Sequence, residues 1–240
     1  MNKPKMIIFD YGQTLVNEKP FNGLLGTEAV LKEATNDFNY DSIDRIQSLA
    51  DDLNKEIGRY GGDPTSHTIL EVHNHIFQNY LYDYFGIELT KSKEEVEQIF
   101  EKAASSAEPT KNVNEFLQFL DNKNIRTGVI SNISFSGKIL YDRINRYIPF
   151  HKFEFIIASS EYIFRKPHKR IFELALRKAN LEPDDVWYCG DNAVFDIDGA
   201  AACGIFPIWY KGAIEKANSF KPKSEFLEIN DWLELVKVLS

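Results

Sequence analysis

Cysteine is nearly absent from this chain: only Cys189 and Cys203 occur among 240 residues. Two thiols in apolar company exclude a disulfide framework and a cysteine-built metal cluster, and they predict buried free thiols in a reducing compartment. Long apolar runs are missing as well. The run Met6-Ile7-Ile8-Phe9 is too short for a signal peptide, and no segment reaches the length of a membrane span, so the sequence predicts a cytoplasmic protein with no membrane partner. Cationic excess is the third absence, since 28 Lys and Arg face 36 Asp and Glu for a net charge of -8. That balance disfavours nucleic acid as a partner, and it requires any anionic ligand to be met by a local cation or by positioned donors. No internal repeat or low-complexity stretch occurs, and nothing in the sequence chooses between monomer and dimer. What the chain does have is 43% hydrophobic residues, enough to bury a real core in one large domain or two modest ones.

The organising stretch is Lys5 to Leu15. Met6 to Phe9 is apolar throughout, as suits a central parallel strand covered on both faces, and it ends in Asp10 followed by the turn Tyr11-Gly12-Gln13-Thr14. From about Val16 to Ala107 the pattern is helical. Helices are predicted around Leu24 to Ala34, from Ile43 to Ile57, from Ile69 to Phe85 and from Ser92 to Ala104, the last opening with Ser92 and Glu95 in capping-box spacing. The glycine-rich stretch Gly58 to Pro64 reads as a loop. After Glu108 helix and strand alternate: a helix around Val113 to Leu120, a strand Arg126 to Ile130 ending in Ser131-Asn132, and a strand Phe153 to Ala158. Next come a helix from Pro167 to Ala179, a strand Val186 to Cys189, the turn Gly190-Asp191-Asn192 and a helix Ile197 to Ala202 closed by Gly204. The strand Ile205 to Tyr210, an edge strand Phe226 to Ile229 and a helix Trp232 to Leu239 complete the chain. Alternation of this kind predicts a doubly wound α/β fold with a parallel sheet, residues 1–16 and 108–240, interrupted by a helical insert, residues 17–107.

In such sheets polar groups at the carboxyl ends of strands converge, and here those ends carry Asp10, Ser131 and Asp191. Asp10, Asp191 and Asp196, with Asp198 close in sequence, bring carboxylates toward one crevice. Oxygen donors of that kind select a hard cation, Mg2+ foremost. Helix capping is the competing explanation for Asp191, Asn192 and Asp196. Turn formation competes for Ser131 and Asn132, and ordinary solvation for Lys166.

In order and spacing these residues resemble the haloacid dehalogenase superfamily across the whole chain. Asp10 and Thr14 match its first motif, Ser131 its second, Lys166-Pro167 its third, and Gly190-Asp191 with Asp196, followed by Gly199-Ala200, its fourth. The resemblance implies a Rossmann-like core with a helical cap, and an Mg2+-dependent phosphatase acting on a small phosphorylated metabolite. Asp10 would be the nucleophile that forms an aspartyl-phosphate. Ser131, Asn132 and Lys166 would bind phosphate, with Ser131 and Lys166 catalytic. The metal would lie on Asp10, the Gly12 carbonyl and Asp191, with Asp196 a ligand or just behind.

One departure stands out. The family's phosphatases carry a second Asp two residues after the nucleophile as general acid and base, and here that position is Gly12. Its loss is worth about 10²- to 10⁴-fold in rate and falls hardest on poor leaving groups. The alternatives are a substrate with an activated leaving group, such as an acyl or aryl phosphate, a substitute acid from the cap, with His67, His73 and His75 as candidates, or a catalytically weak protein that binds a phosphoryl ligand or partner. A carbon–halogen hydrolase would not need the acidic pair. A phosphonate-cleaving relative would need a cap lysine, for which Lys32 and Lys55 are the candidates. Tyr11 and Gln13 are read as packing and loop residues, and the insert's Tyr60, Tyr80 and Tyr82 as its core.

Overall fold

The computed structural model describes residues 3–37, 43–59, 68–213 and 220–240. Tyr60, His67 and most of the predicted glycine-rich loop lie outside them. Six parallel strands form the main sheet: β1 (Met6–Phe9), β4 (Arg126–Ser131), β5 (Ile156–Ala158), β6 (Val186–Gly190), β7 (Phe206–Tyr210) and β8 (Leu227–Ile229), in the order β5-β4-β1-β6-β7-β8. The chain builds from β1 outward to β5, then returns to the other side of β1 and proceeds to β8. The crevice beyond the carboxyl end of β1 is therefore the switch point of the sheet, where α/β folds bind ligands.

β1 is apolar throughout because both its faces are covered. Ile7 and Phe9 join the cluster under α5 (Val113–Asn122), α6 (Gly137–Tyr147) and α9 (Trp232–Leu239), while Met6 and Ile8 face α7 (Lys169–Ala179). Trp232 anchors the first layer, stacked on Tyr210 at 4.3 Å and on Phe116 at 5.1 Å, with its indole N–H donating to Thr110 Oγ1 at 2.9 Å. Burying rings of this size contributes much of a core's stability.

The insert forms α1 (Gly23–Leu31), α2 (Ile43–Glu56), α3 (Asn74–Tyr84) and α4 (Lys93–Ala104), packed on their own cluster of Val30, Leu31, Ile46, Leu81 and Val96. The capping box at Ser92 and Glu95 is present. Its two connections to the sheet pair as an antiparallel ribbon of β2 (Val16–Glu18) and β3 (Ala107–Pro109), which the helical pattern of the insert concealed.

Several predicted elements shift. α3 begins at Asn74 with His73 as its cap, because residues before it run extended and Leu70 pairs with Phe164. β5 is only three residues long, and α7 starts after Pro167, with His168 capping it. The helix predicted from Ile197 begins earlier, as a π-helical turn Ala193–Asp198 running into α8 (Gly199–Ala201), and Gly204 ends it at a φ of +77°. α6 was not predicted, although Ser136 caps it and Ile139, Leu140 and Ile144 recur at helical spacing.

Candidate active site

Asp10 continues the ladder of β1, its backbone N–H donating to Cys189 O at 2.8 Å, so the carboxylate is fixed at the rim of the sheet. The chain then turns sharply: the N–H groups of Leu15 and Val16 both reach Tyr11 O, at 3.0 and 3.2 Å, and Gln13 takes a φ of +54° inside the turn. This brings the Thr14 hydroxyl to Asp10 Oδ2 at 3.2 Å. Lys166 arrives from the loop before α7, and its Nζ donates to Asp10 Oδ1 at 2.6 Å, to Asp196 Oδ1 at 2.6 Å and to the Tyr188 hydroxyl at 2.8 Å. An ammonium has three donors, and all are engaged.

Asn132 holds Lys166 in place, its amide donating to Lys166 O at 2.9 Å and accepting from Lys166 N at 2.7 Å. That side chain, predicted to bind phosphate, is thus occupied in clamping its neighbour. Ser131 is buried at the end of β4 and lines the cavity beside Asp10 and Asp191.

Capping explains Asn192 but not Asp196. Asn192 Oδ1 accepts from the N–H groups of Val194 and Phe195, as a cap does. Asp196 is buried, its Oδ1 accepting from Lys166 and Tyr188 and its Oδ2 from Asn192 N at 2.9 Å. Gly190 is required by that packing, because a Cβ there would run into the Asp196 carboxylate. Asp198 turns away to accept from Lys223, Ser224 and the Ser224 hydroxyl, anchoring a loop.

Asp10, Asp191 and Asp196 each offer a carboxylate oxygen, and the three oxygens lie within 4.8 Å of one another. Burial pushes the Asp10 carboxyl up to about 7, against the pull of Lys166 and with the charge of Asp196 adding to the rise. Burial likewise drives Asp191 well above the usual carboxylate range, with help from Asp196 and Asp10. On Lys166 burial works against the charge, but Asp10 and Asp196 outweigh it and the ammonium is held above its ordinary range. Carboxylates crowded into low dielectric fit a divalent hard cation, and Asp10 and Asp191 face the cavity while both Asp196 oxygens are already bonded.

Above the rim lies a cavity of about 450 Å³ between the sheet end and the helices. Glu18, from β2, sends its carboxylate toward Gly12, so that a Cβ at Gly12 would lie 2.5 Å from Glu18 Oε2. Its other oxygen accepts from Arg143 Nη2 at 2.6 Å, and Gln13 Nε2 donates to Glu18 O at 3.0 Å. Arg143 also sits over the Tyr11 ring, at 5.2 Å.

Of the histidine candidates within the described residues, His73 and His75 do not line the cavity. His73 Nδ1 accepts from His75 N at 3.0 Å, His75 Nε2 meets Glu97 at 3.1 Å, and the two rings lie 4.4 Å apart. Lys32 and Lys55 are exposed. Of the insert's tyrosines, Tyr80 is exposed and Tyr82 is buried against the cavity. Sequence reasoning missed Glu18, Tyr188, Arg143 and Arg165. Tyr188 looks like any aromatic in a buried strand, and the others carry no local pattern at all.

Residues 7–210 match the model of the haloacid dehalogenase-like hydrolases. Curated relatives include a glyceraldehyde 3-phosphate phosphatase of Methanothermobacter thermautotrophicus, 30% identical over 135 residues, or 55% of this chain and 58% of that protein. A second, from Pyrococcus furiosus, is 36% identical over 59 residues, 25% of each chain. The chain thus covers less than two thirds of these relatives. Among solved structures, a 2-haloacid dehalogenase from Pseudomonas syringae shares the fold with a TM-score of 0.65 at 21% identity, over 98% of both chains. A phosphatase of the same superfamily from Thermococcus onnurineus does so at 0.60 and 16%, over 98% of this chain and 97% of that one. With the predicted motif residues gathered at the switch point of the predicted fold, the chain belongs to the haloacid dehalogenase-like hydrolases.

Proposed function

We propose that this hydrolase is a phosphatase for a small phosphorylated metabolite, with residues 17–107 as a helical cap over a core of residues 1–16 and 108–240. The observation that carries the reading is the buried Asp10 carboxylate, held by Lys166 and Thr14 beside Asp191 at the mouth of the cavity. Phosphatase names among the curated relatives support it. The cation is Mg2+, held by Asp10, Asp191 and the Gly12 carbonyl, with Asp196 behind them. Bound there, it would neutralise charge on the transferring phosphoryl group.

In this reading Asp10 attacks phosphorus, the bond to the leaving oxygen breaks and an aspartyl-phosphate forms. Ser131 donates to the phosphoryl oxygens from the neighbouring strand end. Lys166 keeps Asp10 in position and supplies positive charge beside the phosphoryl group. Glu18 does the proton work that Gly12 cannot: it protonates the leaving oxygen, then takes a proton from the water that attacks phosphorus and returns Asp10 as a carboxylate with release of inorganic phosphate. A cytoplasmic setting belongs to the same reading, for which the free thiols of Cys189 and Cys203 speak.

The test is phosphate release from p-nitrophenyl phosphate and from alkyl phosphates, with and without Mg2+. Turnover that depends on Mg2+ and is absent from Asp10→Asn supports the proposal. No turnover above that blank with any ester would leave a protein that binds phosphoryl ligands, or one with phosphonate or carbon–halogen chemistry.

A further inference from the structure

Another part of the cavity lining has a different character. Arg165 is about nine-tenths buried and lines the cavity, yet its Nε and Nη1 have no hydrogen-bond partner among the described residues, nor has the buried Nδ2 of Asn74, which lines the same cavity. Arg59 lines the same wall, its guanidinium 5.3 Å above the ring of Phe77. The carboxylate of Glu71 is the acid set between these two arginines. It lies 3.7 Å from Arg59 Nη2 and 3.6 Å from Arg165 Nε, and it already accepts a hydrogen bond from the Ser159 hydroxyl at 2.8 Å. At such separations Glu71 offers charge but no hydrogen bond to Arg165. Among the described residues, Glu71 is the carboxylate that faces both guanidinium groups.

Buried donors of a charged group are seldom left unpaired unless something else accepts from them. A buried guanidinium with open donors is a group that carboxylates and phosphates fit, through charge-assisted hydrogen bonds.

We infer that Arg165 and Asn74 form a binding site for a second oxyanion of the substrate, a carboxylate or a further phosphate carried beside the phosphoryl group that is removed. The inference rests on the phosphatase reading for which end of the substrate meets Asp10, but the oxyanion site itself does not depend on turnover.

Two matched pairs test it: glyceraldehyde 3-phosphate against 3-phosphoglycerate, and glucose 6-phosphate against 6-phosphogluconate. Within each pair an aldehyde or its hemiacetal is replaced by a carboxylate, and the two pairs differ in the separation of their anions. Glucose 1,6-bisphosphate then separates phosphate from carboxylate as the second anion. In wild-type protein kcat/KM for the acid member of at least one pair, or for the bisphosphate over glucose 6-phosphate, should exceed that of its neutral partner tenfold or more, mainly through KM. Arg165→Gln should bring that ratio near one, and Arg165→Lys should restore part of it. Asn74→Ala should lower the ratio less, and serves as the second probe if the arginine variants fold poorly.

Calorimetric binding of the same compounds to Asp10→Asn with Mg2+ reads the preference without catalysis, so failure of the oxyanion site and failure of the phosphatase reading are separate results. Equal handling of acidic and neutral members by wild type in both assays overturns the inference. So does an Arg165→Gln variant that weakens all the esters equally, which would put Arg165 on the transferred phosphoryl group, or one that leaves the ratio intact.

Discussion

Arg165 and Lys166 are neighbours in the chain, both cationic and both buried, and they sit in opposite hydrogen-bonding states. Lys166 is surrounded by acceptors within 2.8 Å and belongs to a closed network with Asp10, Asp196 and Tyr188. Arg165 lines the cavity and keeps two buried N–H groups with no hydrogen-bond acceptor among the described residues. The contrast separates two kinds of polar burial. At the sheet end the protein satisfies its own charges and so fixes the position of a reactive carboxylate before any ligand arrives. On the cavity wall an unsatisfied donor, a state that costs about 1–3 kcal/mol, is kept where a ligand can complete it.

The comparison can be broken at several points. The largest effect is expected at Asp10: Asp10→Asn keeps the shape of the network but removes the attacking oxygen, and should lower phosphate release by about 10⁴-fold or more. Glu18→Gln should slow alkyl phosphates by about 10²- to 10⁴-fold while p-nitrophenyl phosphate, whose leaving group needs little help, falls much less. Leaving-group dependence across a series of esters checks this. Lys166→Met leaves Asp10 and Asp196 buried without their cation, and should destabilise the fold by about 3–5 kcal/mol in urea unfolding. Arg165→Gln should cost less than that in the same assay, because Glu71 keeps Arg59 and Ser159 beside it. Equal losses for the two cations would end the distinction drawn here. The smallest effect is expected for Tyr188→Phe, which removes a bonded hydroxyl from the closed network at about 1 kcal/mol, measured by the same unfolding curves.

Much of this was legible in the sequence, and the reason differs by residue. Asp10, Ser131 and Asp191 could be placed because each follows an apolar strand whose end must lie at the switch point of a parallel sheet. The insert's separate core was readable from helical spacing in α2, where Ile46 and Ala50 are buried. The ribbon of β2 and β3 was not, since two three-residue strands bring no period of their own. Glu18 and Arg165 were hidden for a related reason. Each meets a partner distant in sequence, Arg143 for the one and Glu71 for the other, and a charged residue in a short connection looks the same whether it faces solvent or a cavity. Asn132 shows a role that its position alone does not reveal: its amide clamps the backbone of Lys166, while the residue also lines the cavity.

The account turns on Glu18 standing in for a carboxylate at position 12, and a double variant tests it most directly. Turnover of an alkyl phosphate should collapse in Glu18→Ala and return substantially when Gly12→Asp is added, because the new side chain enters the space that Glu18 has left. Gly12→Asp alone should gain little, since it meets the Glu18 carboxylate. Full alkyl phosphatase activity in Glu18→Ala, or no recovery in a folded Gly12→Asp/Glu18→Ala protein, would contradict it.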